Sequence, residues 1–149
     1  MLRIGWILVW AVLVTTGLGT AMAAEEYGTP AEAKAMLEKA VAAVKQDEQK
    51  ALAMFSKGEG GFKDKDLYPY CGGADGNFTA HPTLVGKSLK DLQDKSGNAF
   101  GKEIYASAQD GKITEVPYMW PRPGGTDPVQ KVAYVTKVGD QVCAVGYYK

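Results

Sequence analysis

The chain has 149 residues, with 17 basic and 17 acidic side chains and a formal net charge of zero at neutral pH. This length fits one domain with a core of its own, and the balanced charge excludes the broad basic surface of proteins that bind nucleic acids or anionic lipids. One histidine and two cysteines leave few residues for metal binding or nucleophilic catalysis.

The first 23 residues have the pattern of a signal peptide. Met1-Leu2-Arg3 is short and basic, residues 4–14 form an unbroken apolar run, and Ala21-Met22-Ala23 matches a cleavage site. An uncleaved membrane anchor is the alternative, but the apolar run is shorter than the roughly 20 residues that span a bilayer. We therefore expect cleavage after Ala23, export to the periplasm or beyond the cell, and a single mature domain over residues 24–149 with no membrane span.

A long helix is predicted at the start of the mature chain. Thr29 and Glu32 have the spacing of a capping box, and Pro30 suits the first helical position. Apolar residues then recur at helical spacing, namely Leu37, Val41, Val44, Ala51 and Phe55. The helix is expected to run to about Ser56 and to end at the glycines that begin with Gly58.

The rest of the chain is predicted to be rich in β-strands. Asp75-Gly76 and Gly139-Asp140 are hairpin signals, and Pro117 indicates that its strand lies at a sheet edge or carries a bulge. The predicted strands are 67–71, 78–81, 112–120, 129–138 and 141–148, with one helical turn at 88–92 and a helix at 98–109. This order predicts an α+β fold: a PAS-like antiparallel sheet of about five strands, with the long N-terminal helix packed along it.

No catalytic or metal-binding motif is present. His81 has no acid or nucleophile at a recognisable spacing, and no phosphate-binding glycine loop occurs. Cys71 and Cys143 are far apart and form no C-x-x-C, which disfavours a zinc ribbon or haem attachment. In an exported protein they form either a disulfide or two buried thiols. We expect no catalytic residues, no metal and no cofactor, and we expect that the protein is not an enzyme.

Aromatic residues in the predicted strands point instead to ligand binding. Their rings can enclose an apolar group while their polar tips form hydrogen bonds; they are Tyr68, Tyr70, Tyr118, Trp120 and Tyr134. Trp120 suits the core and a pocket wall equally, and Tyr68 suits the core or the surface better. Lys131 could neutralise a ligand carboxylate from a strand, although a solvated lysine is the commoner outcome. Arg122 is a second candidate, in a loop.

Several motifs in fixed order resemble single Cache domains of type 2, over residues 27 to the C-terminus. They are Asp75-Gly76, Ala80-His81-Pro82, Leu84-Val85-Gly86-Lys87, Tyr118-Met119-Trp120-Pro121, Lys131, Tyr134-Val135 and Val145-Gly146-Tyr147-Tyr148. Cache domains are extracytoplasmic PAS-like sensors, commonly of chemoreceptors and histidine kinases, and type 2 members commonly bind small organic acids.

The resemblance implies a pocket on the inner face of the sheet. By position, Tyr118, Trp120, Lys131 and Tyr134 would line it, with His81 nearby. It also implies that the first and last strands are neighbours, which favours a disulfide between Cys71 and Cys143. Tyr70 and Arg122 complete the predicted set of ligand-binding residues.

These patterns predict a periplasmic sensor for a small molecule, most simply a short organic acid. The sequence shows no kinase or methyl-accepting region, so signalling is expected to need a partner such as a membrane receptor or kinase. The main alternative is a structural module with a vestigial pocket, whose long helix docks to a receptor or to itself. An enzyme subunit is a third, weaker alternative.

Overall fold

The computed structural model describes residues 26–149. The signal peptide predicted at residues 1–23 lies outside this range. The helices and strands, numbered in chain order, are α1 (Pro30–Gln46), α2 (Glu48–Lys57), β1 (Pro69–Gly72), β2 (Phe78–Ala80), α3 (Phe100–Ser107), β3 (Thr114–Pro121), β4 (Pro128–Val138) and β5 (Gln141–Tyr148). Within residues 26–149, none of the helices has both the length and the apolar composition needed to cross a bilayer.

The long N-terminal helix is divided in two at Asp47. Its start is as predicted, because the Thr29 side chain accepts from the backbone N–H of Glu32 and the Glu32 side chain accepts in return from Thr29. At Asp47 the backbone becomes extended, and its carboxylate accepts from the N–H of Lys50 to begin α2. The predicted single helix was wrong here because the apolar repeat continues across Asp47, although this aspartate caps a new helix.

The five strands form one antiparallel sheet, as predicted, in the order β2-β1-β5-β4-β3. The last strand of the chain therefore lies at the centre, between β1 and β4. Residues 88–92, expected to form a helical turn, form a turn held by Ser88 and Asp91 instead. β3 is an edge strand, in agreement with Pro117, and the side chains of Asn98 and Asp94 bond to the backbone of its outer side.

The sheet has two faces that bury different kinds of residue. We call one the helix-side face, because Cys71, Val132, Cys143 and Val145 pack there in one cluster with α1 and α2. We call the other the cavity-side face. There a second cluster combines aromatic and aliphatic residues of the sheet with α3 and with the segment 81–99 that links β2 to α3.

A disulfide joins Cys71 to Cys143 on the helix-side face. These residues lie directly opposite each other in the ladder between β1 and β5, with 4.1 Å between their Cα atoms. The first and last strands are therefore neighbours, as the sequence resemblance implied. Both side chains are fully buried, so the disulfide is part of the core.

Candidate functional site

A small cavity lies on the cavity-side face, under the segment 81–99 and α3. Its volume is about 10 Å³, roughly what one water molecule requires. Aromatic and aliphatic side chains line it, and their polar groups are three tyrosine hydroxyls, one imidazole and the indole N–H of Trp120. The lining residues are Tyr68, Tyr70, Phe78, His81, Leu84, Leu89, Leu92, Phe100, Tyr118 and Trp120.

Lys131 reaches this region from β4. Its side chain is only 1% exposed, and Nζ donates to the hydroxyls of Tyr68, at 3.4 Å, and Tyr148, at 3.3 Å. Nζ also lies over both aromatic rings, 4.8 Å from the Tyr68 centroid and 4.6 Å from the Tyr148 centroid. Lys131 is thus held behind Tyr68, which forms part of the cavity wall.

The Lys131 amine has no carboxylate partner among residues 26–149. Burial lowers its pKa to about 7, and the negative charge of Asp66 opposes this change only in part. A buried cation normally has an anion beside it, because desolvation is costly without one. Lys131 is therefore an amine that a negative charge in the cavity region would stabilise in its charged form.

His81 links the end of β2 to the segment over the cavity. Its Nδ1 accepts from the backbone N–H groups of Thr83, at 3.0 Å, and Leu84, at 3.1 Å. Burial, aided by the charge of Lys131, lowers the pKa of His81 to about 4. The neutral ring therefore carries its proton on Nε2, and none of the described residues accepts a hydrogen bond from that atom.

Tyr70, Tyr118 and Trp120 form the aromatic part of the wall. The hydroxyls of Tyr70 and Tyr118 are 3.3 Å apart and buried, and burial raises the pKa of both phenols, which stay neutral. The Tyr118 ring stacks on the Phe100 ring with 4.2 Å between centroids, and the Trp120 ring packs edge-on against Phe100. These contacts bring the predicted wall residues of β1 and β3 together.

Arg122 has a different environment from Lys131. Its Nη1 forms an ion pair with Asp66 at 3.0 Å, and its guanidinium lies between the rings of Tyr27 and Tyr148. Asp66 also accepts from the backbone N–H of Gly28 at 2.7 Å. The Arg122 charge is therefore already neutralised, and its side chain joins the segment before α1 to the last strand.

Tyr134 does not belong to this site. It lies on the helix-side face, where its ring packs 5.4 Å from that of Tyr147. The prediction that it lines the pocket with Lys131 was wrong because the two residues are three positions apart in one strand. Side chains alternate between the faces of a sheet, so an odd separation places them on opposite sides.

The sequence analysis missed two residues that act on the Lys131 amine, Tyr148 and Asp66. The Tyr148 hydroxyl accepts a hydrogen bond from Lys131 and donates one to the carbonyl of Pro121 at 2.7 Å. The negative charge of Asp66 acts on Lys131 by raising its pKa. Strand parity could have found Tyr148, because β4 and β5 form a hairpin that pairs it with Lys131. Asp66 gives no such signal, because it lies in a loop.

Comparison with known proteins identifies the family. A family model described as "Single Cache domain 2" matches residues 14–146. The chain belongs to the single Cache domain 2 family. Over 56 residues it is 36% identical to the methyl-accepting chemotaxis protein McpP of Pseudomonas putida. This match covers 38% of the chain, and the chain spans about a tenth of the length of that relative.

Solved structures share the Cache fold. A methyl-accepting chemotaxis protein of Vibrio parahaemolyticus has a TM-score of 0.63 and 25% identity, over 79% of this chain and 86% of that one. A periplasmic sensor domain of a chemotaxis protein gives 0.59 and 24%, over 77% and 86%. A Cache chemosensory domain whose structure is described as the basis for carboxylic acid recognition gives 0.54 and 21%, over 77% and 84%.

Membership of this family indicates a sensor domain. Cache sensor domains of chemotaxis receptors bind small molecules, and the relatives reported above are chemotaxis proteins and chemosensory domains.

Proposed function

We propose that this Cache domain binds a short organic acid and acts through a separate partner protein. The observation that carries the proposal is Lys131, which is buried next to the cavity without an anion beside it. A ligand carboxylate there would supply the missing charge, and a partly desolvated contact of this kind is worth far more than one in bulk water.

The other groups around the cavity complete a carboxylate site. The Nε2–H of His81 is a donor without an acceptor, and the Tyr68 hydroxyl already bonds to Lys131. Tyr70 and Tyr118 bond to each other. Apart from their hydroxyls and the Trp120 indole N–H, the remaining wall is apolar, so it suits a short hydrocarbon tail. Because neither an aspartate nor a glutamate among residues 26–149 lines the cavity, a ligand amino group would have no counter-charge there. These features favour a monocarboxylate over an amino acid or an amine.

The size of the cavity requires a movement on binding. Its volume of about 10 Å³ has room for one water but not for a carboxylic acid. The segment 81–99 has no helix or strand, and it contributes Leu84, Leu89 and Leu92 to the wall. Displacement of this segment is the simplest way to admit a ligand.

The same small volume favours the alternative that the pocket is vestigial. In that case the side chains fill the site permanently, and the domain docks to a receptor or to itself without a ligand. The unpaired Lys131 argues against this alternative, since a filled pocket gains nothing from a buried amine.

Export and partnership are parts of the proposal. The predicted signal peptide would place the mature domain in the periplasm, and chemotaxis relatives suggest a membrane receptor or kinase as the partner. Cross-linking of the mature domain in periplasmic extracts, with and without the ligand, tests this part separately from ligand binding.

Calorimetry and thermal unfolding of the mature domain with acetate, propionate and pyruvate test the binding proposal. Acetamide and propionamide are matched neutral controls. We expect the carboxylates alone to raise the melting temperature, because a ligand specific for the folded state stabilises it. Lys131→Met is expected to weaken binding roughly ten- to a hundredfold, whereas Lys34→Met, at an exposed position on α1, should not change it.

Two outcomes would contradict this assignment. If none of the carboxylates binds at millimolar concentration, the vestigial pocket is the better explanation. If Arg122→Met weakens binding and Lys131→Met does not, the ligand charge is held by the arginine.

A further inference from the structure

The path of the Lys131 side chain crosses a whole strand. Lys131 is on β4, and its partner Tyr68 directly precedes β1. β5 lies between these two strands, so β1 and β4 are separated by about 10 Å, twice the normal strand spacing. The amine can reach Tyr68 only if its hydrocarbon stem lies flat across β5.

Gly146 is the residue of β5 under this stem. It pairs with Ala133 on β4, one step along the same face from Lys131. Pro69 pairs with Val145, so Tyr68 lies level with Gly146 on the other side. A Cβ atom at position 146 would overlap Cε of Lys131 and would lie 3.3 Å from its Cδ and 3.4 Å from its Cγ.

Backbone conformation does not explain this glycine. Gly146 is not among the residues with a positive φ angle, so an alanine could adopt its backbone without strain. The strand interior normally favours a side chain over glycine, because glycine weakens a strand and packs nothing. What the missing side chain provides at this position is space for Lys131.

We propose that Gly146 is a positioning residue of the ligand site, which holds the Lys131 amine at the cavity by leaving its path across β5 open. This inference rests partly on the proposed function, because it concerns the same site. Gly146 would touch no ligand, yet it determines where the Lys131 amine can lie. Any side chain at position 146 would force the Lys131 stem off this path and move the amine away from Tyr68.

The Gly146→Ala variant tests the inference in two ways. With ¹³C-labelled lysine, the titration of the Lys131 Cε resonance reports the surroundings of the amine without any ligand. We expect a midpoint near 7 in the unaltered protein and a clear rise towards the value of a solvated lysine in the variant. Calorimetry with propionate should show affinity roughly ten- to a hundredfold weaker and a flatter pH profile of binding.

A double-variant cycle shows whether Gly146 acts through Lys131. In the Lys131→Ala background no stem crosses β5, so Gly146→Ala should cause no further loss of affinity. Gly73→Ala is a matched control, since a Cβ there would meet only the side chains of Asp75 and Thr79. If Gly146→Ala alone fails to fold, Lys131→Ala with Gly146→Ala should restore folding, and failure of both would overturn the inference.

The outcomes separate this inference from the proposed function. An unchanged Lys131 titration in Gly146→Ala overturns the inference, whether or not a ligand binds. A shifted titration without any carboxylate binding to the unaltered protein supports the role of Gly146 and contradicts the proposed ligand class. Unchanged propionate affinity in Gly146→Ala overturns the inference and leaves the proposed function standing.

Discussion

The helix-side face of the sheet is mostly apolar and carries the disulfide, whereas the cavity-side face combines tyrosine hydroxyls with an imidazole and a buried amine. The two faces share the same strands, so successive residues of β4 and β5 alternate between the helix-side face and the cavity-side face. Burial of apolar groups stabilises a fold, and burial of an unpaired amine opposes it. The comparison indicates that the helix-side face supplies the stability that the cavity-side face gives up for binding.

The largest effect is expected from removing the cross-link on the helix-side face. The disulfide closes a sequence separation of 72 residues, and its loss gives the unfolded chain more freedom. Cys71→Ala with Cys143→Ala should lower the free energy of unfolding by about 4 kcal/mol, measured by urea unfolding at neutral pH. A loss below about 1 kcal/mol would show that packing alone holds β1 against β5.

On the cavity-side face, Lys131→Met should increase the free energy of unfolding instead of lowering it. Because the pKa of Lys131 is lowered from 10.5 to about 7, the unfolded chain binds its proton more readily than the folded protein between these values. Stability from this group is therefore present above pH 10.5 and is lost as the pH falls to 7. We expect Lys131→Met to raise the unfolding free energy at pH 6.5 by roughly 1–4 kcal/mol.

Unfolding experiments at pH 6.5 and pH 9, compared between the two proteins, measure this effect. The difference between them should shrink at the higher pH. The other charged or titratable groups near the amine are Asp66, His81, Tyr68, Tyr148 and Arg122, and all of them are present in both proteins. If Lys131→Met were less stable than the original protein at pH 6.5, the buried amine would not be destabilising the folded state.

His81 sharpens the comparison, because it holds the backbone of Thr83 and Leu84 and is also a proposed ligand donor. His81→Ala leaves the N–H groups of Thr83 and Leu84 without their acceptor, which should lower the unfolding free energy by about 1–3 kcal/mol. The pKa of His81 is lowered from 6.5 to about 4, so the original protein should lose stability as the pH falls through this range. The variant should lack that part of the loss in thermal unfolding. Lost ligand binding at an unchanged melting temperature would assign His81 to the ligand alone.

The smallest effects should separate two tyrosines on opposite faces. Tyr70→Phe removes a hydroxyl that bonds to Tyr118 on the cavity wall, and we expect propionate affinity to fall roughly two- to tenfold. Tyr134→Phe removes a hydroxyl on the helix-side face and should leave affinity unchanged. Calorimetry on both variants is the measurement, and equal losses would mean that affinity does not depend on which face is altered.

Much of the fold could be predicted because its signals are local. The capping box at Thr29, the hairpin at Gly139-Asp140 and the full extent of β5 all follow from neighbouring residues. The break at Asp47 was missed because the apolar repeat continues across it, and only the capping geometry separates the helices.

The site was predicted less completely, since it depends on contacts between distant elements. Lys131 and the aromatic wall could be proposed from residue type and strand position. Tyr134 was assigned to the wrong face although parity was readable from the sequence. Asp66 and Gly146 act through residues that approach them only in the folded sheet, so spacing along the chain could not find them.

The central position of β5 has a consequence for the order in which the protein can be completed. β1 has only the short β2 beside it until residues 141–148 arrive, and its other edge stays unpaired until β5 forms. A growing chain that lacks β5 cannot join its two halves into one sheet, and contacts between such distant segments form slowly. Synthesis from the N-terminus therefore leaves the sheet in two separate parts until residues 141–148 have been added.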